Sequence, residues 1–216
     1  MFIIKAFLES VRKPQRGLPL SGLLFTTAGI IFLGFLLGVV QKWLDGTASN
    51  HFPEILQQLD FTNYFGRLAI WMLLGTILSV YSPTPLWAGI NTFCFFLSML
   101  AGYYLYCNYV LGFLPRRYMQ MWIVISCFSF FMAYVCWYAK GKGIVAVFLS
   151  SLILGCLLAQ AVNLGRGGIY VYHFLEVLTW LAGVILLRRR PGEFAAEMGL
   201  SVAIAIVYQH TLPHWG

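Results

Sequence analysis

Charge is what this sequence has least of. Asp, Glu, Lys and Arg make up 10% of 216 residues, and only 7 of them are acidic. A soluble domain carries about a quarter, so this chain has too little polar surface to cover a water-facing fold. The usual marks of catalysis are missing too: there is no GxSxG, Walker A, HExxH, paired CxxC or Asp-rich motif. The five cysteines (Cys94, Cys107, Cys127, Cys136, Cys156) form no CxxC pair, and all but Cys107 sit well inside apolar runs, as small hydrophobes do. His210 and His214 have the four-residue offset of a helical metal pair. Pro213 falls between them, however, and a frayed tail is the expectation. No catalytic set, metal site or cofactor is therefore expected, and neither a repeat nor a linker divides the chain.

What the sequence does hold is apolar: 60% hydrophobic residues and a mean hydropathy of +0.79. Runs near the roughly 20 residues that cross a bilayer as helix lie at Leu18–Val40, Tyr64–Tyr81, Leu86–Tyr106, Tyr118–Tyr138, Ile144–Val162, Ile169–Leu187 and Phe194–Tyr208. The last is short and has Glu193 and Glu197 near its start, so lying in the interface is its alternative. The expected fold is all-α, a polytopic membrane bundle of six to seven transmembrane helices. Residues 1–17 form a basic N-terminal segment whose Phe2, Ile3, Ala6 and Phe7 could share a helical face in the interface; an ordinary basic flank is the other reading. Residues 18–216 form a single transmembrane domain. In the polar interval 42–62, Ser49 or Asn50 is the expected cap of a short helix, with Ile55, Leu56 and Leu59 on its apolar face.

A net charge of +7 would point a soluble protein toward nucleic acid. Here the cations sit in short loops between apolar runs, which makes them orientation signals and headgroup contacts, and no nucleic-acid partner is expected. With the N-terminus in the cytoplasm, the inner side collects Lys5, Arg12, Lys13, Arg16, Lys140, Lys142, Arg188, Arg189 and Arg190. The outer side collects Lys42, Arg67, Arg116, Arg117 and Arg166; the outward Arg116–Arg117 pair runs against the rule. Gly34 and Gly38 make a small-xxx-small pair. It suits packing within the chain or contact with a membrane partner subunit.

Ionisable groups in an apolar layer are costly and so point to function. Arg67 lies one turn into the second run, with Trp71 a turn later. Glu176 lies two turns into the sixth, three residues after His173. In the N-inside arrangement both runs start at the outer surface, so the two charges share a depth and should pair. Tyr103, Tyr106, Asn108, Gln160, Asn163 and Tyr170 reach the same end of their spans. Together these ten residues are the candidate lining of an outward-facing pocket for a small solute, with segment 50–60 as a lid. A salt bridge within an aromatic belt, with no ligand, is the plainer reading. A third has Glu176 and His173 acting as acid and base on a lipid-like substrate.

The stretches SVYSPTPLWAGIN, GFLPRRYMQMW and CWYAKGKG, with the spans around them, resemble the membrane proteins of Gram-positive bacteria grouped as the domain-of-unknown-function family DUF6518. The resemblance runs from the first span to about residue 190. It implies a multi-span helical fold in a bacterial plasma membrane and carries no activity or site residues. In size, span number and outward pocket the chain is also similar in architecture to the S-components of energy-coupling-factor vitamin transporters. The function expected is thus a solute-binding, transporter-like membrane subunit, with a lipid-directed enzyme or a non-catalytic scaffold as alternatives.

Overall fold

In the computed structural model residues 2–15, 17–165 and 168–211 are described, with side chains from Lys5 onward. The fold is all-α, with ten α-helices among these residues. Five are long and apolar enough to cross a membrane: α2 (Leu20–Gly46), α6 (Pro85–Tyr109), α7 (Arg116–Cys136, extended by a 3-10 turn to Lys140), α8 (Gly143–Ala161) and α10 (Pro191–Thr211). Between them lie α1 (Phe2–Val11), α3 (Glu54–Gln58), α4 (Phe61–Tyr64), α5 (Leu68–Tyr81) and α9 (Phe174–Leu187).

Several boundaries differ from the sequence reading, each for a local reason. The first helix runs on to Gly46 and takes in Lys42, Trp43 and Asp45, because no breaker occurs before the Gly46–Ser49 turn. The second run does not start as one helix at Tyr64; α4 ends there, Gly66 sits in a tight turn, and α5 begins at Leu68. The sixth run starts at Phe174, because Tyr170–Val171 pairs as a strand with Val162–Asn163. The cap of α3 is Pro53 and not Ser49 or Asn50; the Ser49 hydroxyl lies 3.4 Å from Thr62 Oγ1 instead. The last run is a full 21-residue helix. Elsewhere the turn chemistry is as the residues demand. Thr84 Oγ1 accepts from Trp87 N–H with Pro85 at the first helical position, which fixes the SPTP turn.

By contact density the chain falls into two compact units: residues 1–13, 49–77 and 138–216, and residues 14–48 and 78–137. In the first, α8 is central, with α9 and α10 packed on it. Its buried face mixes small residues (Ala146, Ser150, Ser151, Gly155, Ala159) with Leu154, Leu157 and Leu158. A Cβ on Gly155 would stand 2.8 Å from Ser201 O, so α10 approaches at backbone distance. At the start of α8, the α1 carbonyl of Val11 accepts from Lys142 N–H at 2.8 Å, and Val11 is buried. Phe7, on the proposed interfacial face of α1, is 54% exposed.

In the second unit α6 is central, between α2 and α7. Gly34 and Gly38 of α2 lie against α6, where an added Cβ would strike Phe95 O and Met99 O; Gly102 of α6 faces Phe35 O in return. The small-xxx-small pair packs within the chain, the first of the two uses its spacing suits. A buried polar chain ties the other end: Thr27 donates to Asn91 Oδ1 at 2.7 Å, Asn91 Nδ2 to Ser82 Oγ at 3.0 Å, and Trp137 Nε1 to Ser82 O at 2.7 Å. The outward faces of α2 and α7 carry large uncovered side chains, among them Phe25 (83% exposed) and Met132 (70%). Faces of that kind suit acyl chains and not water.

Candidate functional site

The cluster around Arg67 is assembled by backbone irregularity. Asp60, between α3 and α4, has φ 53°, the one left-handed non-glycine among the described residues. Asp tolerates that region better than most residues. The turn leaves its carboxylate free of any capping duty. Asn63 Nδ2 donates to Oδ1 at 2.7 Å and Arg67 Nη2 to Oδ2 at 2.6 Å, while Arg67 Nη2 also reaches Asp60 O at 3.1 Å. The segment 50–60, expected as a lid, thus contributes a charged member of the site. From α9, Glu176 places Oε1 3.0 Å from Arg67 Nε, so the expected pairing of the two buried charges is present.

The guanidinium therefore sits between two carboxylates of different exposure. The Glu176 and Arg67 side chains are 2% and 7% exposed, and that of Asp60 is 35% exposed. His173 lies just before α9 with Nδ1 3.9 Å from Asp60 Oδ2 and is also partly exposed. Asp60 and His173 form the rim, with Arg67 and Glu176 beneath. The ionic contact of Glu176 lacks hydrogen-bond direction: both its carboxylate oxygens, and Arg67 Nη1, are buried without a hydrogen bond. Such atoms are expensive to leave unmade, about 1–3 kcal/mol each and more for charged groups.

Aromatic rings flank the ions. Phe65 contacts Phe61, Tyr64 and Trp71 in turn, with ring centroids 5.3–6.0 Å apart. Trp71 Nε1 donates to Phe65 O at 2.7 Å, tying α5 to the broken turn before it. The Tyr64 hydroxyl bonds Thr179, one turn beyond Glu176 on α9.

Of the ten expected lining residues, Arg67, Trp71, His173 and Glu176 belong to this cluster. Gln160 and Asn163 have other duties: Gln160 Nε2 donates to Tyr208 at 3.0 Å, and Asn163 bonds Gly168 O and the Tyr172 hydroxyl. Burial raises the Tyr172 phenol, so it remains the donor in that pair. Tyr170 is exposed on the short strand. Tyr103, Tyr106 and Asn108 lie in the other unit. There Tyr103 donates to Asp45 Oδ2 at 2.9 Å beneath Lys42, Tyr106 is half-buried and Asn108 exposed. The amides at the end of α8 are thus bonded within the chain, and Gln209 of α10 serves the backbone there. Its Nε2 donates to Ala159 O and Val162 O, and its Oε1 accepts from Leu164 N–H.

Sequence reasoning missed Asp60, which sits in a polar interval where a carboxylate raises no question. It also missed a second buried ion set at the start of α10. Glu197 is fully buried, with Oε1 3.4 Å from Arg189 Nε; Arg189 itself donates to Ser150 Oγ, Gly141 O and Ala139 O. The signal was available: an acid two turns into an apolar helix needs a partner, and an Arg run ends one residue before that helix begins. His210 Nδ1–H donates to Ile206 O at 2.8 Å, and His214 lies outside the described residues. Arg16 and Arg166 of the cation tally lie outside them too. No family model, no characterised protein and no solved structure matches the chain.

Proposed function

We propose that this chain is a multi-pass protein of the bacterial plasma membrane that binds a small polar solute at the Asp60–Arg67–Glu176 cluster, in the manner of a transporter subunit. The bacterial setting follows the resemblance to the DUF6518 membrane proteins. The five long helices cross the bilayer, and the two apolar helices α5 and α9 complete seven crossings. At 14 residues each, these two rise about 21 Å, short of a hydrocarbon core of about 30 Å. The N-terminus and Arg188–Arg190 face the cytoplasm, and the cluster opens outward.

One observation carries the solute reading. Both short helices begin where irregular backbone meets buried, incompletely bonded charge. In a bilayer, non-helical backbone at depth is tolerated where it is buried in protein or lines a cavity, and interrupted helices commonly frame solute sites. Arg67 Nη1 and Glu176 Oε2 then wait for partners that a solute supplies. The enzyme reading has less support, since the described contact of His173 is with Asp60 and that of Glu176 with Arg67.

The test is to purify the protein from its native membrane and identify co-purified small molecules by mass spectrometry. A solute at near-equal stoichiometry that is lost in Glu176→Gln supports the proposal. A chain free of solute but holding a stable partner protein would favour a scaffold, and processed lipid would favour an enzyme.

A further inference from the structure

Solute binding at this cluster, on which the inference rests, leaves the solute's chemistry to be read from the atoms that lack partners. Arg67 commits Nη2 to Asp60 and lays Nε against Glu176; Nη1 remains, a buried charged donor. Glu176 Oε2 remains as a buried charged acceptor. An anion would meet Nη1 but would be repelled by two carboxylates. A simple cation would satisfy Glu176 and leave Nη1 bare. A neutral apolar molecule would satisfy neither. Among the described contacts the charged groups are two carboxylates and one guanidinium, with His173 at the rim, which disfavours any solute of net negative charge.

We infer that the site takes a small zwitterion of the amino-acid kind: its ammonium on Glu176 Oε2, its carboxylate on Arg67 Nη1, and its apolar substituent against the Tyr64–Phe65–Trp71 rings. Both charged valences are filled by one molecule, and charge-assisted hydrogen bonds at buried positions are the strong ones. The aromatic series supplies apolar surface on the same turn that carries Arg67. Asp60 and His173 are the partly exposed polar groups of the cluster, and the solute would shed its water against them.

The experiment uses the full chain in lipid nanodiscs with radiolabelled phenylalanine and leucine in equilibrium dialysis. Phenethylamine, 3-phenylpropionate and N-acetylphenylalanine serve as competitors. The expected result is saturable binding of the free amino acids, with each competitor at least about tenfold weaker, as loss of one charged hydrogen bond implies. Glu176→Gln should close the gap between phenylalanine and 3-phenylpropionate, and Glu176→Asp should partly restore it. Should Glu176→Gln not fold, Asp60→Asn at the rim gives a second reading. It relieves Arg67 of one carboxylate and should strengthen 3-phenylpropionate.

Competitors binding as tightly as phenylalanine would overturn the zwitterion while leaving solute binding intact. So would binding of none of the probes by a protein that still co-purifies a Glu176-dependent solute. Absence of both probe binding and co-purified solute removes the inference and the function it rests on.

Discussion

Arg67 is one guanidinium serving two acids, and this governs what substitution there does. Removing Glu176 leaves Arg67 only the half-exposed Asp60, a cost toward the lower end of the about 3–5 kcal/mol of a stranded buried ion. Glu176→Gln should therefore lower the thermal unfolding midpoint in detergent substantially, whereas Asp60→Asn, at the half-exposed rim, should lower it less. Replacing Arg67 and Glu176 together by Met and Leu removes the charges and their desolvation at once. That double variant should recover most of the lost stability yet retain no solute. A double variant as unstable as Glu176→Gln would contradict the assignment of that cost to stranded charge. Arg67 and Glu176 were legible in the sequence because both interrupt apolar runs at matching depth. Asp60 was not, because its role depends on a left-handed turn that the residue types around it do not announce.

At the scale of the helix pair, α2 and α6 touch through backbone at Gly34, Gly38 and Gly102. Without a hydrophobic drive between helices in lipid, such close contact is what holds them. Gly38→Ala places a methyl group on Met99 O, which cannot retreat because it belongs to a helical carbonyl. The two helices must part, and overpacking of this kind costs about 1–3 kcal/mol. Gly29→Ala, whose added Cβ meets nothing within 4 Å, is the control and should be neutral. Equal melting of the two variants, measured side by side, would rule the contact out as a source of stability. The glycine spacing announced a close approach but could not name the partner; α6 offers Gly102 and the Phe95 and Met99 carbonyls, a complementarity only coordinates reveal. The long apolar runs were likewise legible as helices. The true starts of α5 and α9 were not, since a broken turn and a two-residue ladder replace helix within sequence that remains apolar.

At the scale of the whole chain, each unit by itself shows the direction of its helices: α10 runs parallel to α8 with α9 reversed, and α2 runs parallel to α6 with α7 reversed. In the first, Val11, Lys142 and Arg189 gather at the end where α8 begins, and Asn163 and Gln209 at the end where it finishes. In the second, Pro83 and Trp137 mark one end and Asp45 with Tyr103 the other. Those directions fix which helix ends share a side within each unit but not which side that is; the loop cations argue for the cytoplasmic N-terminus proposed above. A single Cys beside Arg117, in a chain stripped of its native cysteines, should then react with an impermeant thiol reagent in intact cells. Reaction only after lysis would invert the topology and turn the Arg67 cluster toward the cytoplasm.

The clasp at Gln209 also has a consequence for how the protein is made. The carbonyls and amide at the end of α8 that it satisfies lie 45 to 50 residues earlier in the chain. At ribosomal speeds of about 5–20 residues per second, that end of α8 waits several seconds for its partner. During that interval the backbone at Ala159, Val162 and Leu164 lacks the Gln209 clasp and is more open to quality-control proteases. Gln209→Leu would make the interval permanent. The expected sign is a shorter cellular half-life with cleavage mapped beside Leu164, while Gln209→Glu, which keeps only the acceptor for Leu164, should fall between the two.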